Sequence, residues 1–140
     1  MIEQLSRTEA MAMLAARGDA CLGCIVDDEP YVVPMHYVLE GEYAYLHSLP
    51  GRKIDGMRAS PRVCLQVQEV RSEFRWRSVQ AFGDFEEIED EAEKDRVLRL
   101  LFARFPRLTP ADAVRRDGRA SAPPIVFRIR VDRVTGLREG

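Results

Sequence analysis

The spacing of apolar and polar positions changes several times along the chain, and each change marks an element. Ser6-Arg7-Thr8-Glu9 is a capping box, and Ala10, Met13, Leu14 and Arg17 follow at helical spacing before Gly18 stops the helix. Residues 20–26, ACLGCIV, are a compact apolar run that predicts a buried strand. DDEP then turns the chain into a second strand over 31–39, YVVPMHYVL. Glu40-Gly41 predicts a tight turn into a returning strand over 42–48, EYAYLHS. After Pro50-Gly51, RKIDGMRAS suits a short helix that ends before Pro61. RVCLQVQE (62–69) predicts a fourth strand, and FRWRSVQAFGDFEEI (74–88) a long one bent at Gly83. DEAEKDRVLRLLFARF (90–105) is an amphipathic helix, with Val97, Leu100, Leu101 and Phe105 on one face and acidic first turns. Residues 106–124 read as loop or short helix, and IVFRIRVDRV (125–134) alternates as a half-buried strand does.

About six strands in sequential order, with flanking helices, predict a mainly β fold and an antiparallel barrel in preference to a parallel βαβ sheet. A length of 140 residues predicts one domain spanning 1–140. The composition, 46% hydrophobic and 31% charged, is that of a soluble globular protein. A net charge of −2 gives no general attraction to nucleic acid, so any anion site must be local. No apolar run approaches the ~20 residues of a membrane span. The acidic, amphipathic N-terminus argues against a signal peptide. Three cysteines do not make a disulfide framework, so a cytoplasmic location is expected.

Four features carry candidate chemistry. Cys21 and Cys24 form a C-x-x-C, but a strand sends i and i+3 to opposite faces and no second pair exists, so they read as core residues. With a two-residue turn at Glu40-Gly41, Leu39 pairs with Glu42 and His36 with Tyr45, and His47 faces Pro34. The two histidines then share one face, as a pocket wall or as partly exposed strand residues, and no third ligand completes a metal site. The stretch from Ser48 to Lys53 ends a strand and opens a helix, where unsatisfied N–H groups and the charges of Arg52 and Lys53 suit an anion such as a phosphate monoester. Lys53 is one of two lysines against 19 arginines. A solvated basic turn is the alternative. Finally, Phe74, Trp76, Ser78, Gln80 and Phe82 share one strand face, as a mixed surface for a planar ligand or as core.

The order VVPMHY, YLHS, GRK, SPRVCLQV, SVQAFG resembles the pyridoxamine 5′-phosphate oxidase-like, FMN-binding split-barrel superfamily, within it the nitroimidazole-resistance-like branch. The match covers residues 19–88, and IVFRIRVDRVTG agrees with the last strand. The resemblance implies a six-stranded antiparallel split β-barrel, a homodimer with FMN at the subunit interface. It implies that Arg52 and Lys53, helped by Ser48, hold the FMN phosphate. It places Val32, Val33, Pro34, Met35 and His36 beside the flavin ring, Leu46 and His47 against the flavin or its ribityl chain, and Ser78 on the ring, with Trp76 nearby. Two departures stand out. No Trp follows Trp76, and His36 stands where the vitamin B6 oxidases carry Lys. The first argues against oxidation of pyridoxamine phosphate itself, and the second, a His without Lys's permanent cation, implies different ring electronics and substrate choice.

The expected function is therefore that of an FMN-dependent oxidoreductase acting on a small molecule, with His36 or His47 as proton donor or substrate contact. The rival is a non-catalytic carrier of flavin, haem or deazaflavin on the same fold. No metal, nucleic acid or membrane partner is expected.

Overall fold

The computed structural model describes residues 1–106 and 123–140. Nearly all of the segment expected as loop or short helix, 106–124, thus lies outside the described residues. The elements are β1 (Ile2–Gln4), α1 (Arg7–Ala16), β2 (Asp19–Val26), β3 (Glu29–His36), β4 (Val38–Glu40), β5 (Tyr43–Ser48), α2 (Arg52–Ala59), β6 (Arg62–Ser72), β7 (Arg75–Glu87), α3 (Glu91–Arg104) and β8 (Ile125–Glu139). No helix among the described residues is long and apolar enough to cross a membrane.

The helices begin where the sequence places their caps. Ser6 Oγ accepts from the Glu9 N–H at 3.1 Å, and Glu9 Oε1 accepts from the Ser6 N–H at 3.2 Å. Asp90 caps α3 by accepting from the Glu93 N–H at 2.9 Å. The β2–β3 turn has left-handed backbone at both Asp27 (φ 52°) and Asp28 (φ 64°). That is the twist a two-residue hairpin needs, and short acidic side chains tolerate it.

All strands join one antiparallel sheet in the order β3-β2-β6-β7-β8-β5-β4, with β1 added beside β8. β3 and β4 are consecutive in the chain yet lie at opposite ends of this path. The sheet therefore wraps round on itself, and Tyr37 is the corner. Its ring is fully buried. Its N–H donates to Gly18 O at 2.9 Å, and its hydroxyl donates to Leu14 O near the end of α1. That carbonyl lies in the last turn, where helical partners run out.

The corner corrects two expectations. There are eight strands where six were expected, because 31–39 divides at Tyr37 and Ile2–Gln4 adds a short strand. The hairpin register also differs. Glu40 pairs with Tyr43 and Val38 with Tyr45, so the turn is Gly41-Glu42. His36 pairs with Asp19 on β2, not with Tyr45, because the strand changes neighbours immediately after it. The bend expected at Gly83 is present as a register shift between Phe82 and Gly83.

The barrel interior is filled by residues of alternating parity, with Leu22, Leu65, Val79 and Ile129 fully buried. A second cluster, Tyr45, Ile88, Val97, Leu101 and Val126, packs α3 against the opposite face of β5. β5 is thus covered on both sides, and its residue pairs divide between barrel and helix. α2 lies close on β2 through Gly56, where an added Cβ would come within 2.5 Å of Ile25 O.

Tyr37→Phe should lower the unfolding free energy by about 1–2 kcal/mol, because the Leu14 carbonyl loses its partner inside the fold. Urea unfolding of the two proteins measures this, and equal midpoints and slopes would remove the hydroxyl from the account of the corner.

Candidate functional site

The end of β5 and the start of α2 form a small cationic recess. Leu46 points into the barrel and is fully buried, whereas His47 shares the face of Tyr45, toward α3. Phe102 of α3 meets the His47 ring edge-on at 5.5 Å, and Phe105, at the helix end, meets His36 at 4.8 Å. Phe105 fits there because Gly18 is opposite, where a Cβ would lie 2.3 Å from its ring. Ser48 is buried, and its hydroxyl donates to Leu49 O at 3.0 Å. α2 begins after Gly51 with no side-chain cap, which leaves its first N–H groups open.

Charge in this recess is unbalanced. Lys53 is half-buried, and burial pushes its ammonium pKa below the usual lysine range. No carboxylate acts on it among the described residues. Burial also lowers the His47 pKa, and the neighbouring His36 and Lys53 lower it further. Lys53 and His47 therefore share a partly desolvated space, with the exposed His36 beside them and no carboxylate acting on either among the described residues. Arg52 departs from its sequence neighbour. It pairs with Asp27 at 3.0 Å, and its side chain is 73% exposed.

A second feature adjoins the recess at His36. On the outward face of the sheet, Pro34, Cys21, Gln66 and Gln80 stand in register across β3, β2, β6 and β7. A cavity of about 320 Å³ lies over this face, lined by Asp19, Ala20, Cys21, Pro34, Met35, His36, Gln66 and Gln68. Val32 is exposed on the same face of β3, while Val33 packs against the core. β3 is an edge strand, so alternate residues present backbone groups without a sheet partner. Ser78 Oγ reaches the cavity wall indirectly, accepting from Gln66 Nε2 at 3.1 Å. Trp76 lies in a different cleft with Arg71, Arg75 and Arg77, its indole N–H donating to Glu139 at 3.2 Å.

The structure thus brings together His36, His47, Ser48 and Lys53 at the recess, and Pro34, Met35 and His36 at the cavity. It sets Leu46, Val33, Arg52 and Trp76 apart from both. Sequence reading missed Gln66, Gln68, Phe102 and Phe105. The two glutamines alternate with buried Leu65 and Val67, a signal for an outward face but not for a site. The phenylalanines come from a helix more than fifty residues downstream in the chain. Among the described residues no group of three or more His, Cys, Asp or Glu is arranged to hold a metal ion.

His47 should titrate below the ordinary histidine value of about 6.5, followed by its imidazole NMR signals. With the folded pKa depressed, the unfolded chain binds more protons in that window. The contribution of His47 to stability is then complete above about 6.5 and is lost as pH falls through the folded value. Inorganic phosphate should raise that pKa, and a titration at or above 6.5 in its absence would contradict the crowding of cations described here.

A profile of the pyridoxamine 5′-phosphate oxidase family matches residues 6–138. The structure is similar to that of a Mesorhizobium loti protein described as FAD-binding, with a TM-score of 0.83 and 33% identity over 100% of this chain and 99% of that one. It shares its fold with a Bacteroides thetaiotaomicron protein provisionally assigned to 5-nitroimidazole antibiotic resistance, with a TM-score of 0.75 and 22% identity over 99% of this chain and 89% of that one. An uncharacterised Rhizobium meliloti protein is 41% identical over 87 residues, which span 62% of this chain and 58% of that protein. With the match running through almost the whole bent antiparallel sheet, the chain belongs to the pyridoxamine 5′-phosphate oxidase family of split-barrel proteins.

Proposed function

We propose that this protein binds a flavin, specifically FMN, and serves as an oxidoreductase on a small molecule. The observation that carries the reading is the half-buried pair Lys53 and His47, with no carboxylate acting on either among the described residues, set beside His36 and its cavity of about 320 Å³. A phosphate dianion would balance Lys53, accept from the open N–H groups of α2 and favour the charged form of His47. A planar ring would lie along the outward edge of β3, between Pro34 and Gln66. The similarity to an FAD-binding relative supports a flavin as the ligand class. A single half-buried lysine beside one helix start is what favours a monophosphate.

Bound in this way, the flavin supplies hydride transfer, and the protein supplies position and electrostatics. His36 lines the cavity and is the residue assigned to proton donation or substrate contact. His47, under Phe102, belongs to the phosphate end. A second copy of the chain is expected to cover the outward sheet face, where Val32 is 68% exposed beside a groove formed by Gly23, Ile25, Cys64 and Phe82. In this reading the flavin lies between the two protomers.

Titration of the purified protein with FMN, followed by flavin fluorescence, should show saturable binding. Lys53→Ala should cost about 1.5–3 kcal/mol of it. Arg52→Ala should cost less than about 1 kcal/mol, since its guanidinium already spends its charge on an exposed pair with Asp27. Failure of the wild-type protein to bind FMN would refute the proposal, and tighter binding of FAD would move the assignment to the dinucleotide.

A further inference from the structure

We infer that Gln66 is a flavin-ring residue, its side-chain carbonyl accepting the hydrogen bond of the ring's N3–H. The inference rests on the flavin reading and assigns it a contact. Gln66 lies on the outward face of β6, opposite Cys21 on β2 and Gln80 on β7, and it lines the cavity beside Pro34 and His36. Its side chain is oriented by its own hydrogen bonds. Nε2 donates to Gln68 Oε1 at 3.3 Å and to Ser78 Oγ at 3.1 Å. A primary amide has two N–H donors, so both are committed. Oε1 accepts nothing among the described residues and is left at the cavity wall.

The chemistry of the ring selects the partner. Oxidised isoalloxazine offers acceptors at N1, O2, O4 and N5 but only one donor, N3–H. Its acceptors can be met by backbone N–H groups on the open edge of β3 and by His36. The donor needs an acceptor, and one left unmade in a desolvated cavity costs more than the bond itself gains. Among the lining side chains, Gln68 Oε1 already accepts from Gln66 and keeps one lone pair. The Asp19 carboxylate is 71% exposed and turned to Arg17 at 3.6 Å. Gln66 Oε1 is the lining amide oxygen with both lone pairs open. Ser78 is then a positioning residue, holding the amide that touches the ring.

The test compares dissociation constants for FMN and N3-methyl-FMN, which lacks the donor, read by flavin fluorescence. Wild-type protein should prefer FMN by roughly three- to tenfold, the span of one neutral hydrogen bond. Gln66→Leu should still bind FMN through the phosphate recess but lose the preference. Asp19→Ala should keep it. Circular dichroism confirms folding, and if Gln66→Leu does not fold, Gln66→Met, which lacks the carbonyl at similar length, carries the same expectation. A preference undiminished in the Gln66 variant, or abolished in Asp19→Ala, overturns the assignment. Failure of the flavin reading looks different: wild-type protein then binds neither compound, and the inference falls with it.

Discussion

Tyr37 is the residue at which one strand stops pairing with β2 and starts pairing with β5, and its ring, hydroxyl and backbone N–H are all committed to that corner. A fully buried phenol must have its hydroxyl bonded, and the carbonyl it bonds is one that α1 leaves over. One hydrogen bond therefore satisfies a helix end and ties it to the corner. The same corner sets His36 on the outward face beside the cavity while β5 carries His47 close to it from the other side of the gap. Without the corner, the two histidines would belong to separate surfaces.

The second organising feature is a deficit of negative charge. Elsewhere many of the arginines among the described residues have acids within reach. Arg62 meets Asp132 through two hydrogen bonds, Arg58 meets Glu87, and Arg96 bridges Glu40 and Glu93. These pairs lie mostly on the surface and contribute little each. The contrast with Lys53 and His47 is what gives the recess its meaning. Folding has carried basic groups into a half-buried place, lowered their pKa values and supplied no counter-ion among the described residues. Perturbed basic groups without a partner are candidates for a binding role. Phe102 and Phe105 set apolar rings against His47 and His36, which lowers the local dielectric there.

Much of this was legible in the sequence. Caps, turns and periodicity are local, so the capping box at Ser6, the amphipathic α3 and the bend at Gly83 were readable from a few residues each. The strand-turn-helix from Tyr45 to Lys53 was readable for the same reason, and it is the basis of the proposed anion site. What could not be read was register and neighbourhood. A turn placed one residue early moves every cross-strand partner, and nothing in YVVPMHYVL announces that Tyr37 will be a corner. Arg52 and Lys53 looked equivalent as neighbours in sequence. They diverge because Asp27, across the β2–β3 turn, is near only one of them. Gln66 was invisible because an alternating glutamine is ordinary on a solvated strand and acquires meaning only when two other strands place a cavity over it.

The central claim is that the recess is built for a phosphate. Its most direct test is the ratio of affinities for FMN and riboflavin, two ligands with the same ring and side chain that differ only in that group. Equilibrium dialysis of the unmodified protein with each would give the ratio. The account predicts riboflavin at least about tenfold weaker, since charge-assisted contacts to the phosphate contribute roughly 1.5–3 kcal/mol each. Equal affinities would contradict it, leaving Lys53 and His47 as basic residues without a ligand.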